Sequence, residues 1–183
     1  GAEDAENIII LMGSATEPAR EAIDHLTSEG KKVGMISVHL YRPFSVKHLF
    51  AAVPKTVKKI AVLDRTKEPG AEGEPLYLDV KSAFYDQENR PVIVGGRYGL
   101  GSSDITPAKI ISVYNNLELP EPKNHFTVGI VDDVTFTSLP AIEEMALGGK
   151  SIYEAKFFGL GADGTVGANK NSVKIIGDNT NKH

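Results

Sequence analysis

Short runs of Ile, Val and Leu alternate, over the first two thirds of the chain, with longer stretches in which apolar residues recur every three or four positions. That alternation predicts βαβ units built around a mostly parallel sheet. The runs Ile8–Met12, Val33–Val38, Lys59–Leu63, Pro91–Val94 and Phe126–Val131 are expected as strands, because continuous aliphatic runs suit strands covered on both faces. Between the first two, Glu17–Glu29 places Ala19, Ala22, Ile23 and Leu26 on one helical face. Thr16 is expected as the N-cap, Pro18 lies early in the helix and Gly30 is its stop. Ser45–Val53 follows Arg42-Pro43, with Ser45 as cap, a stripe of Val46, Leu49, Phe50 and Val53, and Pro54 ending it. A third helix is expected over Pro75–Tyr85 and a fourth over Pro107–Asn116, where Thr106 caps and proline takes the first helical position. The fold class is therefore α/β, with a mostly parallel sheet of about five strands flanked by helices.

The pattern changes toward the C-terminus. Asp132–Lys150 is mixed and turn-rich, ends in Gly148-Gly149, and reads as a linker. Ile152–Phe158 alternates apolar and polar as a half-buried strand does, and it leads into Gly159-Leu160-Gly161-Ala162-Asp163-Gly164-Thr165, a G-x-G-x-x-G turn. Its glycines permit a tight turn and close backbone approach to a phosphate-bearing ligand at a helix start. The residues from Thr165 to Ser172 are polar and include Gly167, so the helix that follows is expected to be short or poorly formed. The expected organisation is residues 1–6 as a linker or cloning scar, 7–131 as an α/β domain, 132–150 as a linker and 151–183 as a strand–glycine loop–helix appendage that opens another domain.

Composition narrows the function classes. The 183 residues carry 20 basic and 24 acidic side chains, a net charge of −4, with no basic run to attract nucleic acid or an anionic membrane. No apolar run reaches the length of a membrane span, about 18 residues. There is no cysteine, so within this chain there is neither a disulfide nor a thiolate-held metal cluster, and a reducing cytoplasm suits it.

Four loops beyond strand ends carry polar chemistry. Arg97-Tyr98-Gly99-Leu100-Gly101-Ser102 stands where open α/β sheets place ligands, and Arg97 with its glycine-rich backbone is suited to an anion. The plainer expectation is a packing loop shaped by Gly95, Gly96, Gly99 and Gly101. Asp64-Arg65-Thr66-Lys67 is suited to orienting an anion or sealing an interface, a local ion pair being the plainer expectation. Asp132-Asp133 is suited to ligating a cation or to capping the next segment, a cap or a solvated pair being the plainer expectation, and His39 is expected to be a hydrogen-bonded loop residue. His25, His48, His125 and His183 have no metal-ligand spacing, so no metal site is expected.

Leu40-Tyr41-Arg42-Pro43-Phe44-Ser45, Ala61–Gly70, Gly96–Ser102 and Phe158–Asn171, in that order, resemble the pyruvate:ferredoxin (flavodoxin) oxidoreductases, large multidomain thiamine-diphosphate enzymes. The resemblance spans essentially the whole chain but covers only an internal slice of such an enzyme. It implies that Asn7 to about Pro122 is the second, transketolase-C-like domain and that Ile152 onward starts the third, gamma-type domain, associated with coenzyme A. It implies a parent that oxidatively decarboxylates pyruvate with coenzyme A to acetyl-CoA and CO2, using thiamine diphosphate, Mg2+ and 4Fe-4S clusters and reducing ferredoxin or flavodoxin. The slice itself is then non-catalytic and serves packing against the remaining domains, and homo-oligomeric assembly is expected. By the same resemblance Gly159, Gly161, Gly164 and Thr165 shape a cradle, Lys170 neutralises a phosphate, and Asn169 and Asn171 are amide donors for coenzyme A. The rival reading is an autonomous α/β protein that holds a nucleotide or another anion through Arg97, Ser102 and the Gly159 loop.

Overall fold

Alternate residues of each buried strand face opposite ways, and in this chain both faces are apolar. In the computed structural model, which describes residues 1–145 and 155–181, strand β1 (Asn7–Leu11) sends Ile9 and Leu11 to one core and Ile8 and Ile10 to another. Strand β3 (Lys59–Asp64) divides in the same way, with Ala61 and Leu63 on the first side and Ile60 and Val62 on the second. With β2 (Val33–Ser37), β4 (Val92–Arg97) and β5 (Phe126–Thr127) these strands form one five-stranded, all-parallel sheet of order β2-β1-β3-β4-β5.

Helices cover both faces. On the first lie α1 (Thr16–Ser28), through Ala19, Ala22, Ile23 and Leu26, and α4 (Pro107–Glu118), through Ile110, Val113, Tyr114 and Leu117. On the second lie α2 (Val46–Ala52), through Leu49, and α3 (Pro75–Ala83), through Leu76, Tyr77 and Val80. Ser45 caps α2 and Thr106 caps α4, each accepting the N–H of the residue three positions on. At α1 the cap position is Ala15 rather than Thr16: Thr16 is already helical, and its hydroxyl donates back to the Gly13 carbonyl at 2.8 Å.

Two strands differ from expectation. β5 stops at Thr127 rather than Val131, because Gly129 takes a φ of 85° and turns the chain away after the Val128 N–H has bonded to Arg97 O. β4 continues past Val94 through Gly95, Gly96 and Arg97, so these glycines belong to the sheet and not to the loop. Their lack of a side chain makes room for rings. A Cβ on Gly95 would lie 2.8 Å from Tyr77 Cγ, and one on Gly96 would lie 2.1 Å from Phe126 Cε2.

Two compact units divide the chain, Gly1–Leu147 and Gly148–His183. Within the first, Leu139 and Ile142 pack on the α1/α4 core, and Ser138 bridges to Thr127, so the stretch after the last strand is held against the sheet. In the second, the glycine turn leads to α5 (Thr165–Asn179), fifteen residues long and not the short helix its polar start suggests. Its polar residues and Gly167 do not interrupt it, although none of its described side chains is buried. Of the strand expected over Ile152–Phe158, Ile152, Tyr153 and Glu154 lie outside the described residues, and Ala155–Phe158 have no regular structure.

Candidate functional site

In parallel sheets ligands gather at the carboxyl ends of the strands, above all where the strand order reverses. Here the reversal falls between β1 and β3. The buried Tyr98 spans it: its hydroxyl donates to the carbonyl of Met12, just past β1, at 3.2 Å, and its N–H bonds to the carbonyl of Asp64, the last residue of β3, at 3.1 Å. Burial pushes the Tyr98 hydroxyl's pKa up, which keeps it a neutral donor.

The neighbouring charged residues are engaged in structure. Asp64 makes no ion pair with Arg65 or Lys67. Its carboxylate, buried at the end of β3, accepts the N–H of Leu76 at 3.0 Å and of Tyr77 at 3.1 Å, the first free donors of α3. The local cap position of that helix, Glu74, makes no side-chain capping bond, so Asp64 caps α3 from another element. Burial raises the pKa of Asp64 and the two N–H bonds oppose the rise. Arg97 donates to the carbonyl of His125 at 2.6 Å and pairs with the buried Glu74 at 3.6 Å, its own side chain largely covered. Ser102 stands at a φ of 58° in the turn beyond. The anion site imagined on Arg97 and Ser102 therefore has its guanidinium already committed.

The remaining loop residues also have structural partners. His39 meets Ser37 Oγ at 3.3 Å. Asp132 collects the N–H groups of Val134 and Thr135 and the hydroxyls of Thr135 and Thr137, whose bonds hold its carboxyl well below the usual range. Arg42 stacks 3.9 Å over the Tyr41 ring and pairs with Asp79, while Tyr41 donates to the same carboxylate oxygen.

The glycine loop offers different chemistry. Gly161 and Gly164 have φ of 123° and 84°, conformations that glycine adopts without steric cost, and Gly164 is the N-cap of α5. Asp163, which the motif alone did not single out, organises the turn: its carboxylate accepts the N–H groups of Leu160 at 2.8 Å and Thr165 at 3.0 Å, and the Thr165 hydroxyl. Gly159 lies in the same knot, where an added Cβ would come 2.7 Å from Thr165 Oγ1. Among the described residues the N–H groups of Val166 and Gly167 make no hydrogen bond and end the helix as free donors. The structure thus brings Gly159, Gly161, Gly164 and Thr165 together at the helix start. Asn169 falls on the Thr165 side one turn on. At about 100° per residue, Lys170 and Asn171 point in two further directions.

Hydrogen bonds from Thr165 lower the Asp163 pKa from 3.8 to about 2. A carboxyl whose folded pKa lies below its unfolded value stabilises the fold above the unfolded value and loses that contribution as pH falls through the folded one. The amide resonances of Leu160 and Thr165 are accordingly expected to shift together with a midpoint near 2. In Asp163→Ala both should move at neutral pH to positions typical of solvated amides. A wild-type midpoint near 3.8 would show that these bonds are not made in solution.

Comparison with known proteins places most of the first unit in a described family domain. Residues 5–110 match the family model described as pyruvate:ferredoxin oxidoreductase core domain II. Over 98% of its length the chain is 58% identical to a pyruvate-flavodoxin oxidoreductase of Klebsiella pneumoniae. It is 53% identical, over its whole length, to the pyruvate:ferredoxin oxidoreductase of Moorella thermoacetica. It covers 16% of each of these two relatives, so it spans about one sixth of their length. A solved 2-oxoglutarate:ferredoxin oxidoreductase from Magnetococcus marinus, with 2-oxoglutarate, coenzyme A and succinyl-CoA bound, matches 61% of the chain and 17% of its own. That match has 27% identity and a TM-score of 0.45. The chain belongs to the pyruvate:ferredoxin (flavodoxin) oxidoreductase family, of which it carries the second core domain.

Proposed function

We propose that the protein to which these residues belong oxidatively decarboxylates pyruvate with coenzyme A, giving acetyl-CoA and CO2 and reducing ferredoxin or flavodoxin. The observation that carries this reading is the identity of 53–58%, held along essentially the whole chain, to pyruvate oxidoreductases that are about six times its length. In that parent, thiamine diphosphate, Mg2+ and 4Fe-4S clusters serve the chemistry from other domains; a chain with no cysteine has no thiolate to hold a cluster. The first unit is a non-catalytic packing module, with its strand-end charges spent on its own structure and Tyr98 across the switch point. Its neighbours are the remaining domains and, in a homo-oligomer, other copies. A cytoplasmic location suits a chain that needs no oxidising compartment.

The second unit, in this reading, is the opening of a coenzyme A domain. Support comes from the free N–H groups of Val166 and Gly167, at the positive end of a fifteen-residue helix, beside a loop of left-handed glycines. Gly159, Gly161 and Gly164 shape the backbone, Thr165 orders the turn, Lys170 supplies positive charge, and Asn169 and Asn171 supply amides. Calorimetric titration of the chain with coenzyme A, beside desulfo-coenzyme A and adenosine diphosphate, tests this. Binding is expected in residues 1–183 and lost in a chain ending at Lys150. Equal binding by both, or by neither, would remove the glycine loop from the reading.

A further inference from the structure

Among the buried side-chain polar atoms of the described residues, two lack partners: Glu74 Oε2 and Arg97 Nε are inaccessible to solvent and make no hydrogen bond. Their side chains are only 5% and 12% exposed, and the nearest approach between them, from Arg97 Nε to Glu74 Oε1, is 3.6 Å, too long for a hydrogen bond. A buried polar atom without a partner is costly, and a native fold normally supplies one. The needs of the two atoms are opposite. Nε–H requires an acceptor, and the carboxylate oxygen requires a donor.

The surroundings narrow what can meet both needs. An anion would face the carboxylates of Glu74 and Asp64, which act on each other electrostatically. A cation would face the Arg97 guanidinium. An apolar group satisfies neither atom. We propose that one buried water molecule completes the Glu74–Arg97 pair, receiving Nε–H on its oxygen and donating one O–H to Glu74 Oε2. Buried waters of this kind satisfy otherwise stranded groups with two to four hydrogen bonds. The assembly joins three elements at the carboxyl end of the sheet: Glu74 at the start of α3, Arg97 at the end of β4, and His125, whose carbonyl Arg97 also holds, at the entry to β5. Arg97 thereby ties the end of β4 to the start of α3 and the entry to β5, and the water is part of the fold.

A crystal structure of the full chain at atomic resolution is the direct test. Density for a water within hydrogen-bond distance of both atoms is the expected result; Nε donating straight to the carboxylate, or an ion between them, would overturn the proposal. Urea denaturation gives a second reading that needs no crystal. Glu74→Gln keeps an oxygen able to accept from the water, whereas Glu74→Met leaves both the water and Arg97 stranded. The urea midpoint should therefore fall further in E74M than in E74Q, and E74M combined with R97M should recover most of the loss. Equal midpoints in E74M and E74Q, or additive losses in the double variant, would refute it.

Discussion

Alanine in place of Gly96 is expected to destabilise the first unit by about 1–3 kcal/mol, a cost typical of overpacking. The new methyl group would enter the space of the Phe126 ring, 2.1 Å from Cε2 and 2.2 Å from Cζ, and both partners are fixed. Gly96 is pinned in β4 by the ladder to Leu63, and Phe126 is fully buried in β5. Since alanine in a strand would ordinarily gain on glycine by restricting the unfolded chain, a loss has to come from the collision. Equilibrium urea unfolding measures it. In the background Phe126→Leu, where the ring edge is gone, the same substitution should cost much less. A Gly96→Ala chain as stable as its parent would mean that the ring and the glycine are not in contact.

Removing the Asp64 carboxylate is the second large effect. In Asp64→Ala the N–H groups of Leu76 and Tyr77 lose their acceptor in a buried place, which should cost about 3 kcal/mol. Asp64→Asn retains one acceptor oxygen and should cost roughly half of that, on the same principle. The pH dependence separates charge from hydrogen bonding. Burial raises the carboxyl's pKa above its unfolded 3.8, so the wild type is favoured while protonated and loses stability as pH rises from the unfolded value through the folded one. Asparagine has no such titration. The advantage of wild type over Asp64→Asn should therefore narrow as pH rises through that window, and an advantage that widens would contradict the burial of the charge.

What could be read from the sequence followed the range of each interaction. The cores of β1, β2 and β3, and the helices capped by Ser45 and Thr106, were legible because apolar periodicity and capping act within a few residues. The ends of β4 and β5 were not. Gly95 and Gly96 look like loop residues until Tyr77 and Phe126, distant in sequence, are laid against them. Asp64 resembled half of a local ion pair because the helix it caps begins eleven residues later. The glycine loop announced itself by its spacing, yet Asp163, which ties it together, is an unremarkable residue of that motif until its three donors are seen. The length of α5 was not legible, because Ser, Asn, Val and Ile have similar, middling helix propensities and its residues form no buried stripe that would mark its extent.

The position of Tyr98 bears on what this domain was free to become. By laying its own ring and hydroxyl across the junction of β1 and β3, the domain has filled the crevice in which sheets of this order commonly house a nucleotide. With that crevice closed by a buried tyrosine, the first unit meets its surroundings through its outer faces, as a wall and not as a vessel.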